Sequence, residues 1–157
     1  MAKMPRDEYY MRIAHVTSMR ATCDRRHVGA VVVAADRILS GGFNGAPSGL
    51  PECDEVGHMM VDGHCVRTIH AEANAVLEVG ANRIRHLVHQ GQDVTLYATT
   101  FPCQWCMKIV VQAGITRIVY GEEYTDESHP GDEMAYGREV AKLLGITIES
   151  FPMDTLK

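Results

Sequence analysis

VTLYATTFPCQWCMKIVVQAGITRIVYG, residues 94–121, decides the architecture. It opens with an apolar, β-rich run from Val94 to Thr99, too short for a helix. CQWCMKIVVQAG follows with helical spacing and stops at Gly114, and TRIVYG is a second β-rich run. A strand, a helix and another strand in that order form a parallel unit. GREVAKLLG and ITIES extend it with one more helix and strand. Upstream, HVGAVVVAA and RILSGGFN are two β-rich runs separated by Asp36 and its neighbours, the pattern of an antiparallel hairpin. The stretch from Val28 to Ala34 is too continuously apolar for a water-facing edge. The sum is an α/β fold in which a mixed sheet is covered by helices.

Two further helices complete the outline. RDEYYMRIAHVTSMR sets Tyr9, Ile13 and Val16 at helical intervals. HAEANAVLEVG does the same with Ala71, Ala75, Val76 and Val79, and ends at Gly80. Between them, Asn44 to Thr68 holds glycines, prolines and polar residues without a period. A loop of that length in a compact domain is usually functional or cross-linked.

The 157 residues, 46% apolar and 22% charged, suit one domain spanning 1–157. The net charge of −5 opposes a surface that tracks long nucleic acid. No apolar run approaches the roughly 18 residues that span a bilayer, and MAKMPRDEYY has no secretion-signal core, so no membrane and a cytoplasmic location are expected. Five cysteines in a reducing compartment point to metal ligands, catalytic thiols or small core residues rather than disulfides.

Cys103 and Cys106 lie three residues apart at a strand-to-helix junction, where amide dipoles favour thiolates. Alone, this pair is shared with redox motifs and structural zinc knuckles. His70 opens the other helix that starts at the same end of the sheet, and supplies a third ligand. One histidine and two cysteines leave zinc's fourth tetrahedral position open to water, as a catalytic site requires. Glu72, two residues beyond His70, can then take a proton from that water and deliver it to a leaving group. The chemistry is hydrolytic.

His70, Glu72, Pro102, Cys103 and Cys106 fill the H-x-E…P-C-x-x-C signature of zinc deaminases. The longer blocks GGFNGAPSG, GHCVRTIHAEANAV and PCQWCMKIVVQAGITRIVY resemble those of the deoxycytidylate (dCMP) deaminases and of relatives named as late-competence proteins, over nearly the whole chain. The resemblance implies a cytidine deaminase-like three-layer α/β/α fold with a mixed, mainly five-stranded sheet. It implies Zn2+ held by His70, Cys103 and Cys106, with Glu72 as proton shuttle. The reaction would be hydrolysis of dCMP to dUMP and ammonia by a zinc-activated hydroxide, supplying dUMP for thymidylate synthesis. By the same resemblance Thr99 or Ala71 backbone groups meet the pyrimidine edge, Asn44 bonds the sugar, and Tyr124 closes over the nucleotide. A phosphate needs donors, for which Arg25, Arg26 and Arg67 are candidates.

The remaining cysteines lie at or in the long loop. Cys23, Cys53, His58, His64 and Cys65 are five candidate donors for the four places of a closed structural zinc site. Adjacent residues such as His64 and Cys65 rarely both ligate one ion. His15, His27, His86, His89 and His129 have no ligand-like spacing. The resemblance further implies a homo-oligomer, dimer or hexamer, and allows dCTP and dTTP as effectors near the GFNG segment. Two other readings stay open. One is a superfamily relative acting on a nucleoside, on guanine or on an adenosine in transfer RNA, the last opposed by the net charge. The other is a non-enzymatic, zinc-stapled competence or interaction protein.

Overall fold

The structure, a computed structural model, describes residues 2–123 and 132–156. Its centre is β5 (Val94–Thr100), whose seven residues are all buried. β6 (Arg117–Glu122) and β7 (Thr147–Ser150) lie parallel to it on one side. On the other side β1 (Gly29–Ala34) and then β2 (Arg37–Phe43) run antiparallel, giving the order β2-β1-β5-β6-β7. The mixed sheet follows from the connections. β1 and β2 are joined by Ala35 and Asp36, both at positive φ, a tight hairpin turn, whereas β5 and β6 need a crossover helix.

Side chains alternate across the sheet, and each face builds its own core. Val31, Val33, Tyr97 and Val119 pack on α1 (Arg6–Ser18) through Tyr10, Met11 and Ala14. Val32, Leu96, Ala98 and Ile118 face the opposite way. They meet α3 (Ala71–Val79), α4 (Ala81–His89) and α5 (Gln104–Ala113), with Met134 of α6 (Asp132–Leu144) at the margin. The fold is therefore three-layered. The expected helices and strands are present, and α4 is an addition: Gly80 at φ 80° ends α3 and also precedes α4.

Two close approaches set where α3 begins. Gly42 lies against α3 so tightly that a Cβ there would collide with the Ala71 carbonyl and the Ala75 amide. Gly45 and Ile69 exchange backbone hydrogen bonds just before His70. The loop after β2 contains a four-residue helix, α2 (Cys53–Val56), and a hairpin of two-residue strands, β3 (Met60–Val61) and β4 (His64–Cys65). Among the described residues no helix is long and apolar enough to cross a membrane.

Candidate active site

His70 and Cys103 occupy equivalent places. Each is the extended residue immediately before a helix, α3 and α5 respectively, so both helix N-termini point their free amides at one spot. One turn into α5, Cys106 is buried. The sulfurs of Cys103 and Cys106 lie 3.5 and 3.4 Å from His70 Nδ1. Tetrahedral zinc at ordinary bond lengths separates a ligating sulfur from a ligating nitrogen by about 3.6 Å, so the donors are spaced for the ion. Among the described residues no fourth protein ligand joins these three.

The electrostatics agree with that spacing. Cys103 is brought down to about 4, first by its hydrogen bond with Cys106 and then by His70. Cys106 is pushed up by the same contact and by burial. A divalent cation bound between them would favour both sulfurs as thiolates. Glu72, only 4% exposed, is raised to about 7 by burial, against the downward pull of His70 and with a further push from Cys103.

A second group stands across the same cleft. Ligand atoms of Cys23, Cys53, His58 and Cys65 lie within 4.8 Å of one another. Cys23 Sγ is 3.7 Å from His58 Nδ1, and the Cys53 and Cys65 sulfurs are 3.6 Å apart, close to the about 3.6 and 3.8 Å of tetrahedral zinc. Burial drives Cys53 up to about 12, with the Cys65 contact adding to it. Burial also raises Cys65, but the amides of Arg67 and Met59 and the His58 ring outweigh it and hold that thiol at about 6. Of the five donors read from the sequence, His64 is outside this group and lines the cleft.

The cleft has a volume of about 990 Å3. Ala71, Asn44, Arg25 and Arg26 line it with His70, Glu72, Cys103 and Cys106, as do Phe101 and Trp105, which sequence reasoning did not single out. Asn44 Oδ1 accepts from the Val28 amide at 2.7 Å and Nδ2 donates to the Arg26 carbonyl at 2.8 Å, so it also ties two segments of the rim together. Thr99 is not on the lining, and its side-chain hydroxyl accepts from the Gly29 amide at 3.1 Å. Its neighbour Thr100 lines the cleft. Arg67 is not on the lining and donates to the Gly57 carbonyl at 3.0 Å. Tyr124 and His129 lie outside the described residues.

Residues 4–122 match the family model for the cytidine and deoxycytidylate deaminase zinc-binding region, and the match covers both donor groups. The chain belongs to this family. Family members similar to it include ComE operon protein 2 of Bacillus subtilis, 35% identical over 99% of this chain and 76% of that protein. The deoxycytidylate deaminase of Saccharomyces cerevisiae is 36% identical over 92% of this chain, which spans only 44% of the yeast protein. Among solved structures, the dCMP deaminase of cyanophage S-TIM5 in complex with dCMP and dUMP aligns with a TM-score of 0.70 at 29% identity, over 96% of this chain and 100% of that one. A RibD structure from Acinetobacter baumannii, at 23% identity and a TM-score of 0.65, shares the fold.

Proposed function

We propose that the chain hydrolyses dCMP to dUMP and ammonia, with zinc at His70, Cys103 and Cys106. The observation that carries this reading is Glu72, a buried carboxyl raised to about 7 beside a three-donor group that opens into a cleft. A structural metal site has no use for such a carboxyl. When bound, zinc supplies Lewis-acid activation of water. Glu72 accepts one proton of the attacking water at a carboxylate oxygen and passes it to the pyrimidine N3. It then takes the remaining proton from the hydroxyl now on C4 and passes it to the departing amine, which leaves as ammonia while C4 becomes a carbonyl. The amide dipoles at the starts of α3 and α5 hold the thiolates in their charged form. In this reading Phe101 and Trp105, which line the cleft, would give the base apolar walls, Asn44 would meet the sugar, and Arg25 and Arg26 would meet the phosphate.

Those two arginines favour a nucleotide over a nucleoside. The test is turnover of dCMP against deoxycytidine at equal concentration, followed by release of ammonia. Higher kcat/KM for dCMP is expected, and preference for deoxycytidine overturns the choice of substrate. A cytoplasmic location, where thiol ligands stay reduced, and assembly as a dimer or hexamer are part of the proposal. So is control by dCTP and dTTP near the GFNG segment, Gly42 to Gly45, beside which a recess of about 290 Å3 is bounded by Phe43, Asn74 and Leu77. Adding each triphosphate to the same assay, and measuring mass in solution, tests these points.

The second group is proposed to hold a structural zinc, its ligands being Cys23, Cys53, His58 and Cys65. Metal content decides this: two zinc ions per chain are expected, and one removes the second site.

A further inference from the structure

The hairpin β3–β4 is too small to hold itself together. Two strands of two residues bury almost nothing, and Met59, Met60, Val61 and Val66 are each about half exposed. Isolated hairpins of ordinary length are already marginal in water. Yet Val61, His64 and Val66 form a wall of the catalytic cleft, together with Arg25 and Arg26. Among the ties of this wall to the body of the protein are Cys65, whose sulfur joins the second donor group, and Arg25, whose guanidinium donates to the Gly63 carbonyl at 3.0 Å and to the Met60 sulfur at 3.3 Å.

His58 uses its two ring nitrogens differently. Nδ1 faces the Cys23 sulfur, and Nε2 lies 2.9 Å from Asp24 Oδ1. A carboxylate on the far nitrogen of a ligating imidazole fixes the ring's tautomer and direction and raises its basicity. The Asp24 side chain is 81% exposed, so as a plain ion pair it would add little to stability. Its effect has to come through the ring it orients.

We propose that Asp24 is a positioning residue for substrate binding: by orienting His58 it fixes the second metal ligand set, and with it the cleft wall formed by Arg25, Arg26 and the β3–β4 hairpin. This rests on the reading that Cys23, Cys53, His58 and Cys65 hold a metal. Asp24 touches neither substrate nor reacting atoms, so it acts on KM and not on kcat.

The test is zinc release to a chromophoric chelator from the wild-type protein, Asp24→Ala and Asp24→Glu, paired with steady-state kinetics on dCMP. In Asp24→Ala one of the two zinc ions should be lost at about tenfold lower chelator concentration, the scale of outer-carboxylate removal, while the other is held as before. KM should rise severalfold with kcat nearly unchanged, and Asp24→Glu should recover most of both. Superimposable release curves overturn the role of Asp24 while leaving the second zinc in place. A shifted curve with unmoved KM overturns the link to the cleft. One zinc per wild-type chain overturns the proposal together with the second site itself. A protein that turns over no dCMP but shows the shifted curve, and in Asp24→Ala weaker dCMP binding by calorimetry, upholds the positioning role and counts against the proposed reaction alone.

Discussion

The two donor groups border one cleft and differ in ways that sort their roles. His70, Cys103 and Cys106 are three donors with a buried carboxyl beside them; Cys23, Cys53, His58 and Cys65 are four with none. Zinc prefers four ligands, so the first set leaves a place for a reactant and the second closes the ion off. Their supports differ too. The three-donor set stands on the N-termini of α3 and α5, helices packed on the central sheet. The four-donor set gathers a loop, a one-turn helix and a minimal hairpin. On the proposed reading the fold would hold the metal in the first, and the metal would hold the fold in the second.

Glu72→Gln cuts this contrast most deeply. It keeps the shape of the side chain and removes its proton chemistry, so turnover should fall at least about 10²-fold, some 2.7 kcal/mol of barrier, with zinc content unchanged. Full activity in this variant would falsify the assignment of Glu72. Cys53→Ser is the matching lesion on the other side. If the metal sits at a concentration about 100 times its Kd, losing it costs about 2.7 kcal/mol of folding free energy. At roughly 2–4 °C per kcal/mol for a domain of this size, the melting midpoint should drop by about 5–10 °C. One zinc per chain and measurable kcat should remain. A Cys53→Ser protein that melts normally would show that the two groups are alike in being held by the fold.

How much of this contrast the sequence displays depends on whether a residue's role is local. The β5 run, the strand-helix-strand order and the His70, Glu72, Cys103, Cys106 set are legible because periodicity and helix starts are local properties. α4 was legible in principle, since Ile84, Leu87 and Val88 repeat at helical spacing, but Gly80 reads equally well as the end of α3. The choice between His64 and Cys65 was not. Successive residues of a strand face opposite ways, and only the position of the hairpin says which faces the ligand group. The same one-residue ambiguity separates Thr99, bonded to Gly29, from Thr100 on the cleft. Asp24 gave no signal at all, because its partner His58 is 34 residues away and met only through the folded loop.

A smaller perturbation tests whether α3 is rigid enough to aim His70. Gly42→Ala places a methyl group where the Ala71 carbonyl and the Ala75 amide stand, both of them backbone atoms that cannot rotate aside. Overpacking of this kind costs about 1–3 kcal/mol. The shift falls on the first turn of α3, so the zinc at His70 should be released more readily while the ion at the four-donor group is unaffected. Equal loosening of both ions in a metal-competition experiment would mean that the groups are not independently supported.

The smallest effect is expected on the face of the sheet that carries neither group. Asp7 on α1 accepts hydrogen bonds from Arg117 at 2.9 and 2.8 Å and from the Tyr97 hydroxyl at 2.7 Å. The Arg117 guanidinium holds its carboxyl below the ordinary value of 3.8. A carboxyl depressed in the folded state stabilises it above the unfolded-state pKa, and that contribution is lost as pH falls through the folded value. Wild-type protein should therefore lose stability on acidification below about pH 4, a window set by the ordinary carboxylate range. Asp7→Asn should flatten that part of the curve and cost no more than about 1 kcal/mol at neutral pH, since the pair is partly exposed. Both zinc ions and kcat should stay at wild-type values, because α1 packs against Val31, Val33, Tyr97 and Val119, whereas residues of α3 and α5 belong to the core on the other face of the sheet. A change in either zinc-release curve in Asp7→Asn would show that the two faces of the sheet are coupled, and the separate support assigned to each donor group would then have to include α1.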